Sequence, residues 1–225
     1  MRLIASLCGI VLLVAVAAHQ GFQPSRAGTP AFFLWIGVPN VALAIVGCVR
    51  AYRDGVLGDW LRPRAGDFTR GFLGAALLFA GSFAFSKTLK IPHILWLARI
   101  YDQIGDPAKL RSHVALVVLA IIVIGTAEEI VWRGFVVSLL EEQVGSRRAW
   151  MFAAGLYAIA HLPTVWALSD PNAGPNPLVV LAALGAGLVW GFMARRFGRL
   201  VPGIVSHALF DWTVMMMFRL WGPSV

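Results

Sequence analysis

The stretch IGTAEEIVWRGF, residues 124–135, sets two adjacent glutamates and an arginine into an otherwise apolar run. The residues before it, HVALVVLAIIV at 113–123, have the composition of a membrane span. A charged side chain at the centre of a bilayer costs at least about 2.5–3.5 kcal/mol, so such residues turn inward and find partners. Glu128, Glu129 and Arg133 therefore point to the interior of a helix bundle.

The rest of the chain supports a membrane setting. Of its 225 residues, 59% are hydrophobic and 13% charged, whereas soluble domains carry about 25% charged residues. One soluble core cannot hide that much apolar surface, and the reading is a polytopic, all-α transmembrane helix bundle. The net charge is +8. Its basic residues sit in short clusters between apolar runs, as in proteins oriented by the positive-inside rule, and nucleic acid is not the expected partner. Cys8 and Cys48 lie inside apolar runs without a CxxC or Cys/His pattern, and read as small buried side chains.

Apolar runs at 3–18, 31–49, 71–85, 113–140, 150–168, 178–194 and 200–218 give about seven spans, or eight if 91–101 adds one. The first reads as a retained anchor, with only Arg2 before it and further spans after it. Segment 86–112 carries Lys87, Lys90, Arg99, Lys109 and Arg111 around a short apolar piece, and is expected to lie at the interface or re-enter. The basic clusters 50–70, 147–148 and 195–199 should share the cytoplasmic side. Trp60, Trp96, Trp150, Trp166 and Trp221 fall near span ends, as an aromatic belt would. Gly187 and Gly191, with Gly185 nearby, suit close helix packing. No repeat or soluble domain interrupts the chain, so 1–225 is one integral membrane domain with a motif-bearing core at about 113–215.

The ionisable residues inside spans form a short set: Glu128, Glu129, Arg133, His161, His207 and Asp211. Glu129 and Arg133 are four apart and can pair on one helix face. Glu128 points about 100° away and needs partners from other helices. His207 and Asp211 share a face, as do Tyr157 and His161. Counted at 1.5 Å per residue from the basic ends, Glu128, His161 and Asp211 lie about 16–18 Å deep and His207 about 10 Å. Similar depth on three helices implies one shared polar site. Two chemistries remain open. Glu128 and His161 could activate a water while His207 and Asp211 handle the oxyanion. Alternatively His161, His207 and a carboxylate could bind a metal, although HExxH is absent.

At these residues the sequence resembles the CAAX-processing and bacteriocin-processing (CPBP, or Abi) intramembrane proteases. EEIVWR, residues 128–133, matches that family's EExxxR pattern. YAIAH at 157–161 is similar to its FxxxH motif with Tyr157 for Phe, and HALFD at 207–211 to its HxxxN or HxxxD motif. The motifs stand in family order across about 113–215; the first hundred residues carry no matching motif.

The resemblance implies an α-helical membrane endopeptidase of the Ras-converting, type II CAAX prenyl endopeptidase kind. It implies Glu128 and His161 as the water-activating pair and His207 with Asp211 at the oxyanion. Glu129, Arg133 and Tyr157 would organise the site. An ionised Asp211 cannot donate a hydrogen bond, so it acts protonated or by orienting His207. No cofactor is expected, with zinc as the alternative. The partners implied are the bilayer and a membrane-anchored or lipidated peptide or protein; the setting is a bacterial inner (cytoplasmic) membrane. A non-enzymatic immunity or transport protein with a polar cavity is the rival reading.

Overall fold

The computed structural model describes residues 2–223. In chain order it contains α1 (Arg2–Gly21), α2 (Pro30–Arg53), α3 (Leu57–Leu61), α4 (Asp67–Ser86), α5 (Leu95–Ile104), α6 (Pro107–Ser112) and α7 (Val114–Glu129). A π-helical turn, Ile130–Val136, joins α7 to α8 (Val137–Val144). The rest comprises α9 (Ser146–Ala160), α10 (Thr164–Ala167), α11 (Leu178–Phe197) and α12 (Val201–Trp212), closed by a π turn at Thr213–Met217. The fold is all-α, as expected.

Among the described residues, five helices are long and apolar enough to cross a membrane: Leu3–Gly21, Pro30–Arg53, Asp67–Ser86, Val114–Val144 and Leu178–Phe197. Two of the seven expected spans, 150–168 and 200–218, are not among these five. The run 150–168 does not continue as one helix: α9 stops at Ala160, and His161–Pro163 turn before the four-residue α10. Pro163 has no N–H for a helical bond, and it disfavours a helical conformation at Leu162. The run 200–218 becomes the 12-residue α12 and a five-residue π turn. Segment 86–112 forms turns and two short helices, so no eighth span arises there. Asp106 caps α6 through the N–H groups of Ala108 and Lys109, and Pro107 suits the first helical position.

Cross-links sort the connections onto two ends. At one end Arg50 pairs with Glu142 at 2.7 Å, Arg199 pairs with Asp67 at 2.6 Å, and the Leu200 N–H reaches the Trp60 carbonyl at 3.0 Å. The Arg195 guanidinium donates to the Arg147 carbonyl. The three basic clusters therefore share one end. At the other end the Gly28 N–H bonds the Gln103 carbonyl, Gln103 donates to the Gly21 carbonyl, and Trp96 donates to that of Gly174. The basic residues of 86–112 stand there, opposite the larger clusters.

The outer surface is apolar: Leu34, Val38 and Ile45 on α2, Phe72 and Leu77 on α4, and Leu116 and Leu119 on α7 are all exposed. A soluble domain does not leave so broad an apolar face in water. Inside, small residues let helices approach. An added Cβ at Gly187 would meet Ala154 at 3.2 Å, and one at Gly191 would meet Trp150 at 3.2 Å, so both seat α11 on α9. Gly185 has nothing within 4 Å and takes no part. The closest approach joins α4 to α12, where a Cβ on Gly71 would lie 2.5 Å from Val205.

That contact sets a stability prediction. Gly71→Ala should lower the unfolding free energy in detergent by about 1–3 kcal/mol through overpacking. Gly81→Ala on the same helix, with open space around it, should be neutral or gain up to about 1 kcal/mol in helix propensity. Equal melting temperatures for both variants would refute the packing assignment.

Candidate active site

The long helix α7–α8 brings EEIVWR to the bundle centre. Its π turn, Ile130–Val136, is buried at every residue. Such wide turns interrupt α-helices mostly where side chains must be re-aimed. Glu129 closes α7 just before it and Arg133 lies within it. Arg133 Nη1 stands 3.0 Å from Glu129 Oε1, with both side chains almost fully buried. The expected pair thus exists. It is a charge contact out of line for a hydrogen bond, because neither Nη1 nor Nη2 has a hydrogen-bond acceptor among the described residues. The guanidinium instead lies over the rings of Tyr157, at 4.7 Å, and Trp190, at 5.1 Å.

Glu129 has a second partner that its own helix could not reveal. His207 Nδ1 of α12 lies 3.0 Å from its Oε1. The other oxygen, Oε2, would be 2.8 Å from a Cβ at position 203, so Gly203 gives the carboxylate its room. Trp190 stacks on the His207 ring at 3.8 Å with 16° between planes, and its indole donates to Ser206 Oγ.

Glu128 finds partners on three other helices. The Tyr157 hydroxyl of α9 donates to Oε2 at 2.5 Å, and Asn40 Nδ2 of α2 donates to Oε1 at 3.5 Å. His207 Nε2 lies 3.9 Å from Oε2. Asp211 Oδ2 stands 3.5 Å from the same Nε2. His161 closes α9, with its Nδ1 2.8 Å from the Tyr157 carbonyl and its ring edge-on to the Tyr157 ring at 4.7 Å. A carbonyl only accepts, so Nδ1 carries the proton and Nε2 of the neutral ring keeps its lone pair.

Glu128, Tyr157, His161, His207 and Asp211 all line one cavity of about 230 Å³. Its other walls are apolar, including Phe32, Phe33, Ile100, Ile121 and Phe210. Phe32, Phe33 and Ile100 belong to the end opposite the large basic clusters. The residues do share one cavity, and it leads toward that second end rather than toward the basic end.

Two contributors escaped the sequence reading. Asn40 is an uncharged amide inside a span, and its signal in the sequence is that of a polar residue in an apolar run. Trp190 is one aromatic among many in apolar helices and carried none.

An all-α bundle with exposed apolar flanks, holding carboxylates and histidines around an internal cavity, is an integral membrane protein with an intramembrane polar site. Residues 110–213 match the family model described as type II CAAX prenyl endopeptidase Rce1-like. The match covers the segment that carries the three motifs. No curated protein and no solved structure matches the chain.

The shared contact of Glu129 predicts non-additive energetics. Glu129→Gln and Arg133→Met should each cost roughly 3–5 kcal/mol, since each strands a buried charge. The double variant should cost less than the sum, with a coupling of about 0.5–3 kcal/mol. Additive losses in a thermal double-mutant cycle would show that the two charges do not interact.

Proposed function

We propose that this chain is an intramembrane endopeptidase of the glutamic type, with Glu128 as general base. The observation that carries this is the convergence of Glu128, His161, His207 and Asp211 on one cavity inside a segment matching an endopeptidase family. A water seated between Glu128 and His161 Nε2 loses a proton to Glu128 as its oxygen attacks the scissile carbonyl carbon. The developing oxyanion lies toward Asp211 and toward His207, which as an imidazolium donates Nδ1–H to Glu129 and Nε2–H to the oxyanion. Collapse breaks the C–N bond, and the proton held by Glu128 passes to the leaving amine.

The neighbours fit these roles. Tyr157 and Asn40 hold the two oxygens of Glu128 and set its orientation. Glu129 accepts from His207 Nδ1 and turns Nε2 toward the cavity, and Arg133 balances the Glu129 charge. Asp211 beside Nε2 acts by orienting that imidazole or as a protonated donor. The preference for a metal-free reaction rests on the donor set: among the described residues, no three His, Cys, Asp or Glu side chains are placed to share a metal ion. The substrate is a membrane-anchored or lipidated peptide, because the cavity is apolar around its polar floor. The setting is a bacterial inner membrane, with the large basic clusters facing the cytoplasm.

Two measurements test this. Wild-type protein reconstituted with a pool of membrane-anchored peptides should release fragments detectable by mass spectrometry. Glu128→Gln, folded by melting temperature, should slow that release by about 10²–10⁴-fold. Near wild-type release by the variant would sink the assignment. In a strong chelator the wild-type rate should persist; loss on stripping and recovery with zinc would establish a metal mechanism instead.

A further inference from the structure

Helix α11 has two unlike faces. Leu181, Leu184, Leu188 and Phe192 are exposed on its outer side. Toward the site cavity it presents Val179, Ala182, Ala183, Ala186 and Trp190. Steps of three and four residues put these on one face, about 16 Å long at 1.5 Å per residue. The face starts near the end opposite the large basic clusters and finishes at the Trp190 ring, which stacks on His207.

Small residues on a spanning helix ordinarily let a neighbour approach. Gly187 and Gly191 do so here against α9. Ala182, Ala183 and Ala186 instead border the open cavity of about 230 Å³. Unfilled space beside small apolar side chains forfeits packing contacts, so a core ordinarily fills it with a larger residue. A second observation shows what the space faces. His207 is only 3% exposed and lines the same cavity. Its Nε2 makes no hydrogen bond among the described residues; Asp211 Oδ2 stands 3.5 Å away and Glu128 Oε2 3.9 Å. The alanines thus border the groups assigned above to peptide-bond hydrolysis.

We propose that the Ala182, Ala183 and Ala186 face of α11 is the specificity wall of this site, and that it receives a large apolar side chain next to the scissile bond. The inference rests on the endopeptidase reading. The alanine methyl groups leave the width that a larger wall residue would fill. Apart from Glu128, Tyr157, His161, His207 and Asp211, the cavity is lined by apolar and aromatic residues. A charged substrate side chain laid along α11 would lose its hydration without gaining a partner, whereas Leu, Met or Phe gains by burial.

The test gives full-length protein in neutral detergent a library of membrane-anchored peptides randomised along the segment beside the anchor. Mass spectrometry reads the residues flanking each cut. At one flanking position the wild type should favour Leu, Met or Phe over Ala or Asp by about tenfold or more. Ala186→Leu should reverse the order of Phe and Ala. Ala182→Leu, one turn or about 6 Å nearer the mouth, should lose Phe while keeping Ala, and carries the test if Ala186→Leu misfolds. Leu188→Phe adds bulk on the outer side of α11 and should keep the wild-type order. The same library retained on Glu128→Gln reads the wall without the chemistry: large apolar residues should be enriched, and adding Ala182→Leu should remove Phe from the retained set. Enrichment on Glu128→Gln with no cleavage by the wild type overturns the endopeptidase reading and leaves the wall. Cleavage whose flanking preference is unchanged in both alanine variants, or equally changed in Leu188→Phe, overturns the wall.

Discussion

The Glu129 carboxylate is fully buried at the centre of the bundle, with Arg133 Nη1 and His207 Nδ1 each 3.0 Å from one of its oxygens. Removing these groups from water costs several kcal/mol per ion, and mutual attraction recovers it only when geometry is good. The surrounding fold meets that condition. Gly203 makes room for the second oxygen, Trp190 stacks on His207, and Tyr157 and Trp190 face the guanidinium. Helices α7, α11 and α12 are thereby locked in one relative register around one charge.

That lock separates the roles of two adjacent glutamates. Glu129 is consumed by structural contacts on α7 and α12. Glu128, one residue earlier and rotated by about 100°, faces the cavity instead. Its oxygens are held by a tyrosine and an amide, neither of which carries a neutralising charge. These neutral donors fix the orientation of the carboxylate. The π turn directly after the pair lays Arg133 against the rings of Tyr157 and Trp190, which line the site cavity.

The family match covers 110–213, yet the site does not stop at that boundary. Asn40 comes from α2, and the apolar wall of the cavity includes Phe32 and Phe33 of α2 and Ile100 of α5. The N-terminal half, which carries none of the motifs, completes the cavity around them. The ionisable lining comes from the matched segment, whereas the apolar walls are shared by both parts of the chain.

Much of this was legible in the residues alone. Apolar runs of about 20 residues require helices, since no other open backbone satisfies its own polar groups in lipid. The i,i+4 spacing required Glu129 and Arg133 to meet. The in-span carboxylates and histidines, with the family motifs, marked a shared site. Tertiary structure decided what periodicity cannot express. The Glu129–His207 contact joins residues 78 apart, and the Asn40–Glu128 contact residues 88 apart; no local pattern encodes such pairings. The end of α9 follows from Pro163, but a cavity leading away from the basic end depends on how helices distant in the chain pack. Helix formation follows from local hydrogen bonding and hydropathy, whereas which side chains share a cavity follows from packing between elements distant in the chain.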